Sequence, residues 1–286
     1  MDAFWIILTG ALVAISCGLL GSFLLLRQMA MVGDAISHAV LPGIVIAFLW
    51  SGSRESLPML IGAAALGVIA TIIIEWLQRV GRVAADASIG LSYTTLFAIG
   101  IILISLFARQ VDLDQDCVLY GEIAYVPLDV WILDNGLSLG PRAVWILGGA
   151  LTLIAAFIAI GYKGLQLTSF DPGYAASLGI STLFWHYALM GAVSVATVVS
   201  FEAVGAILVV AFLIVPPATA YLLTDRLPVM LALSVLFGLL SAVLGYALAV
   251  AANGSVAGAM SVAAGIWFVL ALLVRKSVSK LFKKAI

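Results

Sequence analysis

Charge is the scarcest feature of this 286-residue chain. Only 9% of its residues are Asp, Glu, Lys or Arg, and 64% are hydrophobic, whereas soluble globular chains carry about 25% charged residues. An ordinary soluble enzyme is therefore excluded. The 13 basic and 14 acidic residues give a formal net charge of −1, with no basic stripe that could hold phosphates. Nucleic acid is therefore excluded as a partner.

Cysteine is nearly absent, and so are the motifs of nucleotide binding and catalysis. The two cysteines, Cys17 and Cys117, form no CxxC pair, so neither a disulfide framework nor a structural zinc site is expected. There is no G-x-x-x-x-G-K-[ST] loop, no HExxH and no nucleophile elbow. We therefore expect neither an enzyme nor a permanently bound cofactor. If the chain serves ATP-driven transport, the ATPase must be a separate chain.

Long apolar runs dominate what the sequence does contain. A membrane span needs about 20 mainly apolar residues, and backbone groups in lipid must be satisfied within the segment, so each run is predicted to be a helix. Nine runs qualify: 3–26, 35–50, 57–77, 89–108, 144–161, 180–200, 204–222, 229–250 and 258–274. The prediction is an all-α polytopic membrane protein with one transmembrane domain, residues 1–286. It has nine spans, or eight if a short segment such as 35–50 is re-entrant or broken.

The basic residues predict an orientation, because positively charged loops stay in the cytoplasm. With the basic tail 275–286 inside, alternation through nine spans leaves only Arg54, Arg109 and Arg142 of the 13 basic residues outside. The C-terminus is then predicted to be cytoplasmic and the N-terminus extracytoplasmic.

The stretch 109–143 is predicted to be an extracytoplasmic loop. Tyrosine, tryptophan and leucine accompany its carboxylates, which favours a short helix or two lying on the membrane and facing an external partner. The alternative is that the carboxylates only solvate the loop. The acidic residues are Asp112, Asp114, Asp116, Glu122, Asp129 and Asp134.

Asp34 and His38 are the sharpest candidates for chemistry. They lie four residues apart, so on a helix they share one face. A carboxylate with an imidazole is half of a site for a divalent transition metal such as Mn²⁺, Fe²⁺ or Zn²⁺. A second copy of the chain across a two-fold axis would supply four ligands. The alternative is an N-cap Asp followed by a histidine packed against a neighbour.

The predicted inner loop 162–179 contains helix signals of its own. Asp171 suits an N-cap, Pro172 the first helical position and Gly179 the position after the helix end. These residues predict a helix over 172–178. It either serves as a docking element for a cytosolic partner or is a connector packed on its own protein.

Three further residues are candidates for a gate or pathway. Glu202 falls at a predicted outer turn, where it could cap the next helix or gate an ion. Pro216 and Pro217 stand inside an apolar run and are predicted to kink that helix. His186, between aromatic residues, is predicted to belong to an interfacial belt.

Four segments together carry a resemblance to a known family. They are GDAISHAVLPG (33–43), DASIGLSYTTLFAIGIILIS (86–105), LTSFDPGYAASLGI (167–180) and VGAILVVAFLIVPPATAYL (204–222). In order and spacing the chain, from about residue 5 to 275, resembles the membrane permease of bacterial manganese/zinc/iron ABC importers. The segment DQDCVLYGEIAYVPLD resembles the manganese- and iron-leaning members more than the zinc ones.

The resemblance implies an ABC-importer permease fold that works as a dimer, with an identical or a sister chain. It implies a cytosolic ABC ATPase dimer, an extracytoplasmic metal-binding protein and a place in the bacterial inner membrane. The cargo would be a divalent transition metal, Mn²⁺ before Zn²⁺ or Fe²⁺. Asp34 and His38 stand where the family has its pathway ligands. The helix 172–178 stands where the coupling helix meets the ATPase, and the candidate contacts are Asp171, Pro172, Tyr174 and Gly179.

A secondary ion-coupled metal transporter without an ATPase is the alternative function. It predicts buried carboxylates midway along several helices and an inverted repeat of broken helices. The predicted spans are nearly free of charge at their centres, which favours the importer. The nine-span topology places Asp34 near the inner end of its segment, and a broken path through 27–43 would place it deeper.

Overall fold

Helices make up almost all of the part of the chain that is described. The structure is a computed structural model, and it describes residues 2–39, 41–51, 56–107, 123–132 and 138–284. The helices are α1 (Asp2–Leu26), α2 (Ala30–Ala39), α3 (Leu41–Ser51), α4 (Ser56–Arg79), α5 (Ala85–Phe107), α6 (Arg142–Phe170), α7 (Pro172–Ser177), α8 (Thr182–Val204), α9 (Ala206–Leu223), α10 (Leu227–Ala252) and α11 (Val256–Lys284).

The described residues contain nine helical segments long and apolar enough to cross a membrane. They match the nine predicted runs, which confirms the all-α polytopic architecture. One of them, Ala30–Ser51, consists of the two helices α2 and α3, as expected for the segment predicted to be broken. Another differs from the prediction, because α6 continues to Phe170. Residues 162–170 are thus helical and not part of a loop, because Leu165 and Thr168 continue the buried face of the helix at intervals of three and four residues.

A short hairpin precedes α6. A 3₁₀ helix, Ile123–Leu128, leads into the antiparallel strands β1 (Val130–Ile132) and β2 (Ser138–Pro141). The prediction for 109–143 is a short helix or two lying on the membrane, and the described part of the stretch contains one short helix, of the 3₁₀ type, beside the hairpin. Pro127 lacks the N–H that an α-helix would need there. Among the acidic residues of the stretch, Asp112, Asp114, Asp116, Glu122 and Asp134 lie outside the described residues.

The helix ends define two opposite ends of the bundle. At the first, the Arg27 side chain after α1 donates hydrogen bonds to the hydroxyls of Thr168 (2.8 Å) and Ser169 (2.9 Å) near the end of α6. We call this the α7 end, because α7 follows directly. At the other, the Trp145 indole donates to the backbone oxygen of Leu139 at 3.0 Å. This is the hairpin end, and the first turns of α1 lie there too.

The centre of the bundle depends on a close approach of α1 to α9. Pro217 has no N–H, so it cannot donate to the carbonyl of Leu213 one turn earlier. That carbonyl faces Gly21 of α1, where a Cβ atom would collide with it. The Leu213 side chain, 1% exposed, also fills the space beside Gly33 of α2. One turn of α9 therefore sets the distance to both α1 and α2.

A second close approach holds α3 on α4. A Cβ atom at Gly43 would lie 2.5 Å from the Gly62 carbonyl oxygen, and a Cβ at Gly62 would lie 2.6 Å from the Gly43 carbonyl oxygen. Small residues let helix backbones meet in this way within a membrane. The Ser194 hydroxyl of α8 donates to the carbonyl of Ala64 on α4 at 3.0 Å. The second half of the broken span, α3, is thus held on α4, and α4 in turn is held on α8.

We expect Gly21→Ala to destabilise the protein by about 1–3 kcal/mol, the usual cost of overpacking. The added methyl group meets a backbone carbonyl, which cannot rotate away. Thermal unfolding of the purified protein in detergent measures the effect. Gly265→Ala on α11 is the matched control, because a Cβ atom there meets nothing within 4 Å. Equal unfolding temperatures for the two variants would contradict the close approach.

Candidate metal site and coupling helix

Asp34 and His38 lie together on one face of α2, as their spacing predicts. The His38 Nε2 atom is 3.7 Å from the Asp34 Oδ1 atom, and the two side chains are 34% and 33% exposed. Neither is sealed in the core, so a ligand can reach both.

The separation of these two atoms suits a shared metal ion. Bonds of about 2.1 Å to a nitrogen and to an oxygen span up to about 4.2 Å, which accommodates 3.7 Å. In the part of the chain that the structure describes, no group of three or more His, Cys, Asp or Glu side chains could hold a metal. Within one chain the described residues therefore offer a half-site.

The His38 ring lies against two aromatic side chains of α5. Its centroid is 5.8 Å from that of Tyr93 and 6.1 Å from that of Phe97, which meets it edge-on. At 1.5 Å per residue, Tyr93 and Phe97 are about 12 and 18 Å along α5 from Ala85. His38 is about 12 Å along α2 from Ala30 by the same measure. His38 thus lies well inside the bundle. The sequence had placed the pair near the inner end of its span, so the histidine is deeper than predicted.

The predicted gate residues separate into two groups. Pro216 and Pro217 are buried in α9, one turn from the Leu213 side chain that abuts Gly33, the neighbour of Asp34. Glu202 is exposed in the last turn of α8 at the hairpin end, and the residue before α9 is Gly205, with φ 78°. The fold thus places the prolines one turn from the leucine that abuts Gly33, and it places Glu202 at the hairpin end.

The short helix α7 begins at the predicted residue, Pro172, and ends at Ser177, one residue before the predicted end. The Asp171 Oδ1 atom accepts a hydrogen bond from the Tyr174 N–H at 2.9 Å, and Pro172 begins the helix. After its end, Gly179 N–H donates to the Ala176 carbonyl and Ile180 N–H to the Ala175 carbonyl, both at 3.0 Å. This pair of bonds is the Schellman motif, and Gly179 takes the left-handed φ of 77° that it needs.

The surface of α7 is apolar and accessible. Ala175 is fully buried against the rest of the protein, whereas Tyr174 and Leu178 are each 54% exposed. A capped helix held by one small residue, with a tyrosine and a leucine facing outward, is suited to contact another protein.

A cluster of ionisable side chains on α4 and α8 was not predicted. Glu75 pairs with Arg79 at 2.5 Å, and the His186 Nε2 atom is 3.7 Å from the Glu75 Oε2 atom. Those two atoms are buried and have no hydrogen-bond partner among the described residues. His186 thus faces Glu75, a contact that the prediction of an interfacial belt did not include. The sequence feature that could have predicted this cluster is the E-x-x-x-R spacing of Glu75 and Arg79 at the end of an apolar span.

Arg27 lies beside this cluster at the α7 end. Burial lowers the pKa of its guanidinium to about 10, so the group is still charged at neutral pH. Its hydrogen bonds to Thr168 and Ser169 hold the end of α1 on the end of α6.

Comparison with known proteins identifies the family. Residues 3–275 match the model of the ABC 3 transport family. The chain belongs to this family. It is 51% identical over 269 residues to the manganese transport system membrane protein MntD of Bacillus subtilis, covering 94% of this chain and 90% of that protein. It is 41% identical to the zinc transport system membrane protein TroD of Treponema pallidum, over 94% of this chain and 72% of that one.

A solved relative has the same fold. A chain of PsaBC from Streptococcus pneumoniae, determined in complex with Fab, superimposes with a TM-score of 0.76 at 34% identity, over 93% of this chain and 89% of that chain. The protein is therefore a multi-pass membrane permease subunit of an ABC importer. Family membership decides against the secondary transporter that works without an ATPase.

We expect Gly179→Val to loosen the end of α7. A side chain in the left-handed region costs roughly 1–2 kcal/mol, and a β-branched residue is the least suited to it. Space is not the cause, because a Cβ atom at Gly179 meets nothing within 4 Å. Hydrogen exchange of the peptide that covers 172–181 measures the change in protection.

Gly179→Asn is the matched control, since asparagine tolerates the left-handed conformation. It should keep the protection of the wild type. Equal loss in both variants would mean that the backbone conformation is not what fixes α7.

Proposed function

We propose that this permease carries a divalent transition metal, manganese in the first place, into the cytoplasm past Asp34 and His38. The observation that carries the proposal is the carboxylate–imidazole pair, 3.7 Å apart and open to a ligand, on a broken span inside the bundle. Oxygen and nitrogen ligands of this kind suit Mn²⁺, Fe²⁺ and Zn²⁺. The relatives named for manganese and zinc support the same cargo class.

An incomplete site is an advantage for transport. An ion must bind well enough to enter and weakly enough to leave. One chain offers two ligands, and a second permease subunit across a two-fold axis would add two more. The ion is thus held between subunits and released when they move apart.

The two ends of the bundle receive different partners in this proposal. The α7 end faces the cytoplasm, because the basic residues of the chain favour that side, and α7 docks on a cytosolic ATPase dimer. The hairpin end faces outward, where an extracytoplasmic metal-binding protein delivers the ion. The membrane is the bacterial inner membrane.

A continuous set of contacts connects α7 with the metal pair. Arg27 joins the end of α6 to α1, Gly21 joins α1 to the Leu213 turn of α9, and the Leu213 side chain abuts Gly33 beside Asp34. A displacement of α7 by the ATPase therefore reaches α2 through a series of direct contacts, of which the one between Gly21 and Leu213 joins two helix backbones. The unbroken series of contacts supports this route. The variants below test its two ends, the Asp34–His38 pair and α7.

We expect Asp34→Asn and His38→Gln each to reduce manganese uptake strongly. Losing an outer hydrogen-bond partner of a metal ligand already costs about 10–100-fold in affinity, and losing a ligand costs at least as much. Uptake of radioactive manganese by cells expressing the whole importer measures the effect. Asp86→Asn, an exposed carboxylate at the start of α5, is the control that retains uptake.

The two variants must still assemble with the ATPase, which co-purification verifies. Wild-type uptake in both would refute the ligand assignment. Uptake of zinc or iron in preference to manganese by the wild type would correct the cargo and keep the site.

We expect Tyr174→Glu to uncouple ATP hydrolysis from transport, because a charge would replace the exposed ring at the centre of α7. Tyr174→Phe keeps the ring and should retain both activities. Metal uptake and ATP hydrolysis of the reconstituted importer are compared for the two variants. Normal coupling and co-purification of Tyr174→Glu would show that the ATPase docks elsewhere.

A further inference from the structure

A cavity of about 370 Å³ lies at the α7 end, where α1, α4, α6 and α8 end or begin. Its polar wall contains the side chains of Arg27, Arg79 and His186 and the hydroxyl residues Thr168, Ser169 and Thr182. None of the described residues that line it is acidic. The permease function leaves this cavity without a role.

The electrostatics of the cavity favour an anion. Arg27 carries its charge at neutral pH even though burial lowers its pKa to about 10. The adjacent carboxylate, Glu75, is already engaged by Arg79 and lies 3.7 Å from His186. Two guanidinium groups against one carboxylate leave a positive excess. Guanidinium and hydroxyl groups donate the hydrogen bonds that phosphate oxygens accept.

The rim of the cavity is apolar, which indicates an amphiphile and not a free anion. Leu26, Met29 and Leu183 also line it, and Leu183 is 49% exposed. Next to it Phe184 is 62% exposed, and Phe170 at the end of α6 is 56% exposed. Aromatic side chains at the ends of spans mark the headgroup level of a bilayer.

We propose that this cavity binds the headgroup phosphate of an anionic phospholipid, with its acyl chains along Leu183 and Phe184. Basic pockets between the ends of transmembrane helices are where such headgroups bind. The phosphate accepts hydrogen bonds from the Arg27 N–H groups that Thr168 and Ser169 do not engage and from the Ser169 and Thr182 hydroxyls, and so ties α1 to α6 and α8 directly at the base of α7. The binding itself is independent of the cargo; an influence of the lipid on coupling rests on the proposed function.

The test compares lipid retention by the purified full-length chain. Native mass spectrometry counts phosphatidylglycerol and phosphatidylcholine molecules that remain bound from an equal mixture. We expect the wild type to retain phosphatidylglycerol in preference. Arg27→Gln should weaken that retention about fivefold, because one basic residue contributes about 1 kcal/mol to anionic-lipid attraction.

A second variant leaves the hydrogen bonds of Arg27 to Thr168 and Ser169 intact. Thr182→Asp places a carboxylate in the cavity wall at the first turn of α8, where helix formation itself favours an acidic residue. It should abolish the preference for phosphatidylglycerol, whereas the isosteric Thr182→Asn should retain it. Arg226→Gln, exposed before α10 and outside the cavity, should also retain it.

Three outcomes would overturn the proposal. The wild type could retain the two lipids equally. Arg226→Gln could lose phosphatidylglycerol as much as Arg27→Gln does, which would indicate general surface attraction. Inorganic phosphate could protect the wild type from thermal unfolding as well as phosphatidylglycerol does, which would assign the cavity to a free anion.

Discussion

The close approach of α1 to α9 is the constraint on which the rest of this permease depends. Proline deprives the Leu213 carbonyl of its helical donor, and the absence of a side chain at Gly21 lets another backbone come up to that carbonyl. The hydrophobic effect does not drive helices together within a bilayer, so close packing of their backbones is a main source of helix association. The same leucine reaches Gly33, and the position of Asp34 follows from it. The central packing and the position of the Asp34–His38 pair are thus one arrangement.

Charge is used sparingly and in distinct places. Asp34 and His38 form a pair inside the bundle that a metal ion can bridge, and ionisable groups within spans are costly unless they serve such a purpose. Glu75, Arg79, His186 and Arg27 gather instead where the helices end, next to α7. The first group suits passage of a cation, and the second suits an anion at the bilayer surface.

Local chemistry explains which predictions from sequence succeeded. The ends of α7 depend on residues within a few positions of each other, so Asp171, Pro172 and Gly179 were sufficient to predict them. The continuation of α6 to Phe170 was missed, because the polar and glycine residues of 162–170 are typical of loops and of helix ends alike. His186 was assigned to an interfacial belt from its aromatic neighbours. Its actual neighbour, Glu75, is on a different helix, and no local pattern connects the two.

The amino-acid sequence by itself determined the class of protein, the nine apolar runs that recur as helical segments among the described residues, the i, i+4 pairing of Asp34 with His38 and the capped helix α7. Each follows from hydropathy, helical period or cap chemistry, which act over one or a few turns. Only the tertiary structure decided the depth of His38 between Tyr93 and Phe97, the contact of Gly21 and Gly33 with Leu213, and the cavity around Arg27. These depend on which helices become neighbours. In a chain whose spans are nearly all equally apolar, shape complementarity between small and large residues selects those neighbours, and hydropathy does not reveal it.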